Sequence, residues 1–133
     1  GSISRIFPLD ATQDIVFSMD DLAALPDTHL AGVVRDAVRF YVGFHQQADG
    51  LDGAYLHDPV TLIGSLLRPD LVTESVTETL ACDTSSDPYL AGSLYRSEAD
   101  ARPPVTLATA IDAEGMKGEL LARLARAVSA PYS

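Results

Sequence analysis

The chain has 133 residues, a formal charge of −10 and a pI near 4.4. Hydrophobic residues make up 47% of it, enough for a packed core, which excludes a disordered chain. The acidic balance excludes a nucleic-acid partner, because a phosphate backbone is met by a basic face, and it reads instead as a soluble cytoplasmic surface.

Cys82 is the only cysteine, so no internal disulfide can form and a reducing compartment is expected. No apolar run approaches the ~20 residues of a membrane span, and no secretory signal is visible. Gly1-Ser2 reads as a cloning scar, and 3–133 as one α/β domain.

Ile3 to Ala11 reads as a short strand. Ser18-Met19-Asp20-Asp21 resembles a capping box opening a short helix that ends near Pro26. Asp27 or Thr28 caps a long helix to about Ala48. Its apolar stripe is Leu30, Val33, Val34, Ala37, Val38, Tyr41 and Phe44, and Phe40 and Phe44 are expected in the core. Gly50 to Leu56 is a loop. Asp58 to Leu67 is a helix with Asp58 as cap and Pro59 as first residue. Val72 to Cys82 alternates apolar and polar residues, the mark of a strand with one wet face. Tyr89 to Tyr95 is a candidate strand, followed by a loop through Pro104. Val105 to Ile111 is a further strand, and Asp112 caps a last helix with Met116, Leu120, Leu121, Leu124 and Val128 on one face. Glu119 and Arg123 fall at the spacing of a helical ion pair. Few strands interleaved with flanking helices give a layered α/β fold.

The chemistry concentrates in Gly50-Leu51-Asp52-Gly53-Ala54-Tyr55-Leu56-His57-Asp58-Pro59, which puts a histidine and an aspartate side by side at a helix mouth. A ring that titrates near neutrality can move protons there. The plainer reading is a histidine bonded to a loop carbonyl. Tyr41, His45 and Asp49 recur every four residues, so they share one face of the long helix, and a loop reversal brings that face over the same pocket. Otherwise Tyr41 is core and the other two are surface. No zinc spacing, phosphate-binding glycine loop or nucleophile elbow occurs, and Cys82 has no basic neighbour to activate it.

The run "DGAYLHDPVTLIGSLLRPDLVT" resembles the C-terminal part of the nucleoside hydrolases, the inosine-uridine-preferring ribohydrolases. "PLDATQDIVFSMDDLAAL" and "VRDAVRFYVGFHQQADG" are similar to the segments before it in that family, in the same order. The resemblance implies the last third or so of a nucleoside-hydrolase-like fold. It implies His57 as the acid that protonates the departing base, and Tyr41, His45 and Asp49 as groups that touch the substrate. It implies calcium in the intact enzyme, with Asp58 as a ligand. The family's N-terminal aspartate cluster has no counterpart here, so no calcium is expected on this chain alone. The expectation is therefore the C-terminal region of a calcium-dependent nucleoside N-ribohydrolase, inactive in isolation, which pairs with a second copy or a missing N-terminal region. The alternative is a truncated, non-catalytic paralogue that serves as a binding or assembly module.

Overall fold

The computed structural model describes residues 4–98 and 102–130, and for Asp49 the backbone alone. The cloning-scar reading of Gly1-Ser2 therefore lies outside the described residues, as do 99–101 of the expected loop.

The elements run β1 (Arg5–Ile6), α1 (Leu9–Thr12), β2 (Val16–Phe17), α2 (Met19–Ala23), α3 (His29–Asp49), β3 (Ala54–Tyr55), α4 (His57–Leu62), β4 (Val72–Glu78), β5 (Leu80–Cys82), β6 (Leu94–Arg96), β7 (Val105–Ile111) and α5 (Ala113–Ser129). Between α4 and β4 lie a π-helical turn, Ile63–Leu67, and a 3-10 turn, Pro69–Leu71. Strand β7 is central in a three-stranded sheet, parallel to β1 and antiparallel to β4. β2 pairs with β3, and β5 with β6, each antiparallel. This is the mixed α/β arrangement expected from the interleaved pattern.

The caps are where side-chain chemistry put them. Ser18 accepts from the Asp21 N–H and Asp21 bonds back to the Ser18 N–H, a complete capping box. Thr28, not Asp27, caps α3 and also donates its hydroxyl to the Val128 carbonyl at 2.9 Å, tying the start of α3 to the end of α5. Gly50 closes α3 at φ 69, a conformation that favours glycine. Asp112 caps α5.

Four local readings are corrected. The strand expected over Ile3 to Ala11 is only Arg5–Ile6, because α1 begins at Leu9 behind Pro8. The expected Gly50 to Leu56 loop contains β3, and its partner β2 was not foreseen. Strands of two residues carry too little pattern to read. The long alternating strand breaks at Thr79 and passes to a second sheet, and β4 is largely exposed on both faces. The strand expected over Tyr89 to Tyr95 is Leu94–Arg96, after a turn.

Two groups of buried side chains form the core. Ile15, Val60, Ile63, Leu71 and Met116 pack beneath α4 and the sheet. Phe17, Leu22, Leu25, Ala31 and Val128 pack among α2, α3 and α5. Leu56 and Leu120 touch both groups. The α5 stripe faces inward as its spacing predicts. On α3 the inward residues are Ala31, Val34, Val38 and Val42, while Phe40 and Phe44 are 81% and 58% exposed. Their expected core placement is wrong, because no element among the described residues covers that face of α3.

Candidate functional site

The site is built where β3 runs into α4. Gly53 lies against β2 so closely that an added Cβ would meet the Val16 side chain and the Phe17 carbonyl. Only glycine lets the chain approach there, and the approach sets the β2–β3 register of Val16 on Tyr55 and Phe17 on Ala54. Phe17 is 1% exposed, so this short ladder is pinned by the core. Leu56 follows, anchored in both buried groups, and its neighbour His57 opens α4.

The helix therefore starts two residues earlier than the Asp-Pro dipeptide predicts. The N-cap is Leu56, with no side-chain cap bond, and Asp58 is an exposed acidic residue in the first turn. The cap reading of Asp58 is thus corrected. The aspartate still sits favourably at the positive end of the helix. The Thr61 hydroxyl donates to the His57 carbonyl at 2.9 Å.

His57 is held on two sides. Its Nδ1 lies 2.7 Å from Oγ1 of Thr12, a buried residue at the end of α1. Its ring stacks on Tyr55, with centroids 5.5 Å apart and planes 27° from parallel. The plainer sequence reading, a histidine bonded to a loop carbonyl, is not what is found: the Nδ1 partner is a threonine hydroxyl. Neither Thr12 nor Tyr55 was singled out from the sequence. Both lie within the quoted motifs, and only their meeting with His57 in space gives them meaning.

The long helix reaches the same place. The His45 ring meets Tyr55 edge-on at 5.5 Å and Tyr41 edge-on at 4.7 Å. Tyr41, His45, Tyr55 and His57 thus form one continuous array of rings. Tyr41, Tyr55, Leu56, His57, Asp58 and Pro59 line a cleft of about 250 Å³. The structure brings Tyr41, His45, His57 and Asp58 to one rim, or within one ring of it. The Asp49 side chain lies outside the described residues.

The donors present do not fit calcium. That ion takes six to eight oxygens from converging groups. Among the described residues, Asp58 is the one carboxylate lining the cleft, and no cluster of three metal-ligating side chains exists.

No family model matches the chain. It is 33% identical over 75 residues to uridine nucleosidase 1 of Arabidopsis thaliana, which covers 55% of this chain and 22% of that protein. It superposes on a plant nucleoside hydrolase with a TM-score of 0.77 and 22% identity, over 94% of this chain and 42% of the other. It superposes on a purine-preferring ribonucleoside hydrolase of Gardnerella vaginalis with a TM-score of 0.81 and 21% identity, over 94% and 40%. This chain has the fold of part of a nucleoside hydrolase. It spans about a fifth of the curated relative and about two-fifths of the solved structures. The resemblance seen in its motifs is thereby borne out, and the partial span agrees with a C-terminal portion.

Proposed function

We propose that this chain forms the leaving-base side of a nucleoside N-ribohydrolase site, which converts a ribonucleoside and water to ribose and free base. The observation that carries this reading is His57, bonded by Thr12 and stacked by Tyr55 at the rim of a cleft that Tyr41 also lines. The names of the similar proteins, a uridine nucleosidase and two nucleoside hydrolases, support the same chemistry.

Rupture of an N-glycosidic bond leaves an oxocarbenium-like sugar and builds negative charge on the base. The His57 ring, when protonated, gives its proton to a nitrogen of that base, and the base departs neutral. Water bonds to the anomeric carbon and releases a proton to solvent, from which His57 is reprotonated, so atoms and charge balance. The rings of Tyr41 and Tyr55 offer faces on which a planar base can stack. His45 supports both tyrosines edge-on. Help from a general acid is worth on the order of 10² to 10⁴ in rate. That is well below the ~10⁶ of the least efficient enzymes. With no calcium shell of its own, the isolated chain is proposed to be inactive as a hydrolase.

The test has two arms. Inosine and uridine, added to the 133-residue chain, shift the His57 and Tyr41 ring resonances, and His57→Ala abolishes the Tyr41 response. No shift at saturating nucleoside removes the base-side reading. In the second arm, free base is assayed with calcium present. Turnover that disappears in His57→Ala would show a complete site and overturn the proposed inactivity.

A second reading is a non-catalytic assembly module. It is favoured by the exposed Phe40, Phe44, Leu62 and Leu66, apolar side chains that a partner would cover.

A further inference from the structure

We infer that Thr12 is a positioning residue for His57: it occupies Nδ1 and so leaves Nε2 as the nitrogen that faces a bound ligand. The inference rests on the reading of His57 as the group that protonates a leaving base, and it adds the residue that decides which nitrogen does so.

Thr12 ends α1, forty-five positions upstream of His57, and is 1% exposed. Its burial leaves the hydroxyl few partners. Two carbonyls of its own helix, Pro8 and Leu9, lie 3.4 Å away, beyond the ordinary 2.5–3.0 Å range of O–H···O bonds. His57 Nδ1, at 2.7 Å, is by far the better partner. In the neutral ring the hydroxyl proton therefore points to Nδ1, Nδ1 is bare, and the ring proton sits on Nε2. Thr12 thus occupies Nδ1 of the neutral ring, so the nitrogen left to meet a ligand is Nε2. Tyr55 fixes the plane of the ring by stacking, and Thr12 fixes its rotation within that plane.

The experiment is nitrogen NMR of the histidine rings at alkaline pH, on the full chain and on Thr12→Ser and Thr12→Val. Serine keeps the hydroxyl. Valine keeps the shape and loses it. The wild-type and serine proteins are expected to show His57 with one protonated nitrogen, Nε2, and one bare nitrogen, Nδ1. In Thr12→Val the second tautomer becomes populated, and the two ring resonances move toward each other. A valine spectrum identical to wild type overturns the inference, and so does a wild-type ring protonated at Nδ1. Amide spectra report whether the valine variant is folded. If it is not, Thr12→Ala takes its place under the same criteria. Addition of nucleoside separates this result from the functional reading. A tautomer change in Thr12→Val, with no ligand response in wild type, keeps Thr12 as the positioning residue and removes the leaving-base role.

Discussion

His57 is restrained at an edge by Thr12, across a face by Tyr55 and through the backbone by Leu56, whereas the rings that reach it from α3 stand on a helix whose outer surface is open. One rim of the cleft belongs to the core. The other belongs to a helix with Phe40 and Phe44 in solvent. The difference separates two tasks. The proton donor proposed for His57 needs a fixed ring, and buried Thr12 with half-buried Tyr55 holds it. A surface that meets a base or a partner protein is completed by what binds it, and its stability does not depend on being covered.

The largest effect should come from the held side. Phe17→Ala removes a fully buried ring beneath the β2–β3 ladder and should cost about 3–5 kcal/mol. Chemical denaturation measures it. Loss of less than about 1 kcal/mol would mean that the His57 rim is not anchored by this core. A smaller effect is expected at the cap of α2. Ser18→Ala breaks the capping box and should cost about 1 kcal/mol, with the nucleoside response of His57 unchanged.

Acid should act on the same corner. Burial tends to raise the Asp21 carboxyl, but the Ser18 N–H, Lys117 and the Ser18 hydroxyl together hold it below its ordinary value of 3.8. Its folded value is depressed, so its contribution is complete above the unfolded value and is lost as pH falls through the folded one. Wild-type protein should therefore lose thermal stability below about pH 4 faster than Asp21→Asn, which lacks this contribution at every pH. Parallel curves for the two proteins would show that the Lys117–Asp21 pair, at 3.0 Å, does not stabilise the fold.

The parts of this architecture legible in the sequence are those set by local chemistry. Ser18, Thr28, Gly50 and Asp112 mark helix ends because caps act over three or four residues. Val105–Ile111 and the α5 stripe are long enough to show their period. The start of α4 differs from the sequence reading because Asp58-Pro59 is a strong local signal, whereas partly buried Leu56 packs against both core groups as the N-cap and His57 follows in the helix. Phe40 and Phe44 were misplaced because periodicity shows which residues share a face, not whether anything covers it. Motif and spacing single out His57, Tyr41 and His45, and the fold brings their rings together. Thr12 and Tyr55 are not singled out, because they touch the histidine through the fold.

The smallest effect on stability should come from the open side, and it tests the comparison most directly. Phe40 is 81% exposed, so Phe40→Ser removes almost no buried surface. Folding stability should change by no more than about 0.5 kcal/mol, the range of ordinary surface positions. Self-association should change more. Phe40, Phe44 and Val33 are exposed on α3, and Leu62 and Leu66 stand exposed on the segment after His57. Apolar surface of this kind is covered in a stable assembly, because water gains freedom when it is released. We expect the wild-type chain to sediment as an oligomer at micromolar concentration, and the serine variant to shift toward monomer with its denaturation midpoint unchanged. A wild-type monomer would mean that α3 is open for another occupant, such as the part of the longer nucleoside hydrolases that this chain does not span. A serine variant that loses several kcal/mol would mean that the ring is buried after all, and the contrast between a held rim and an open one would fail.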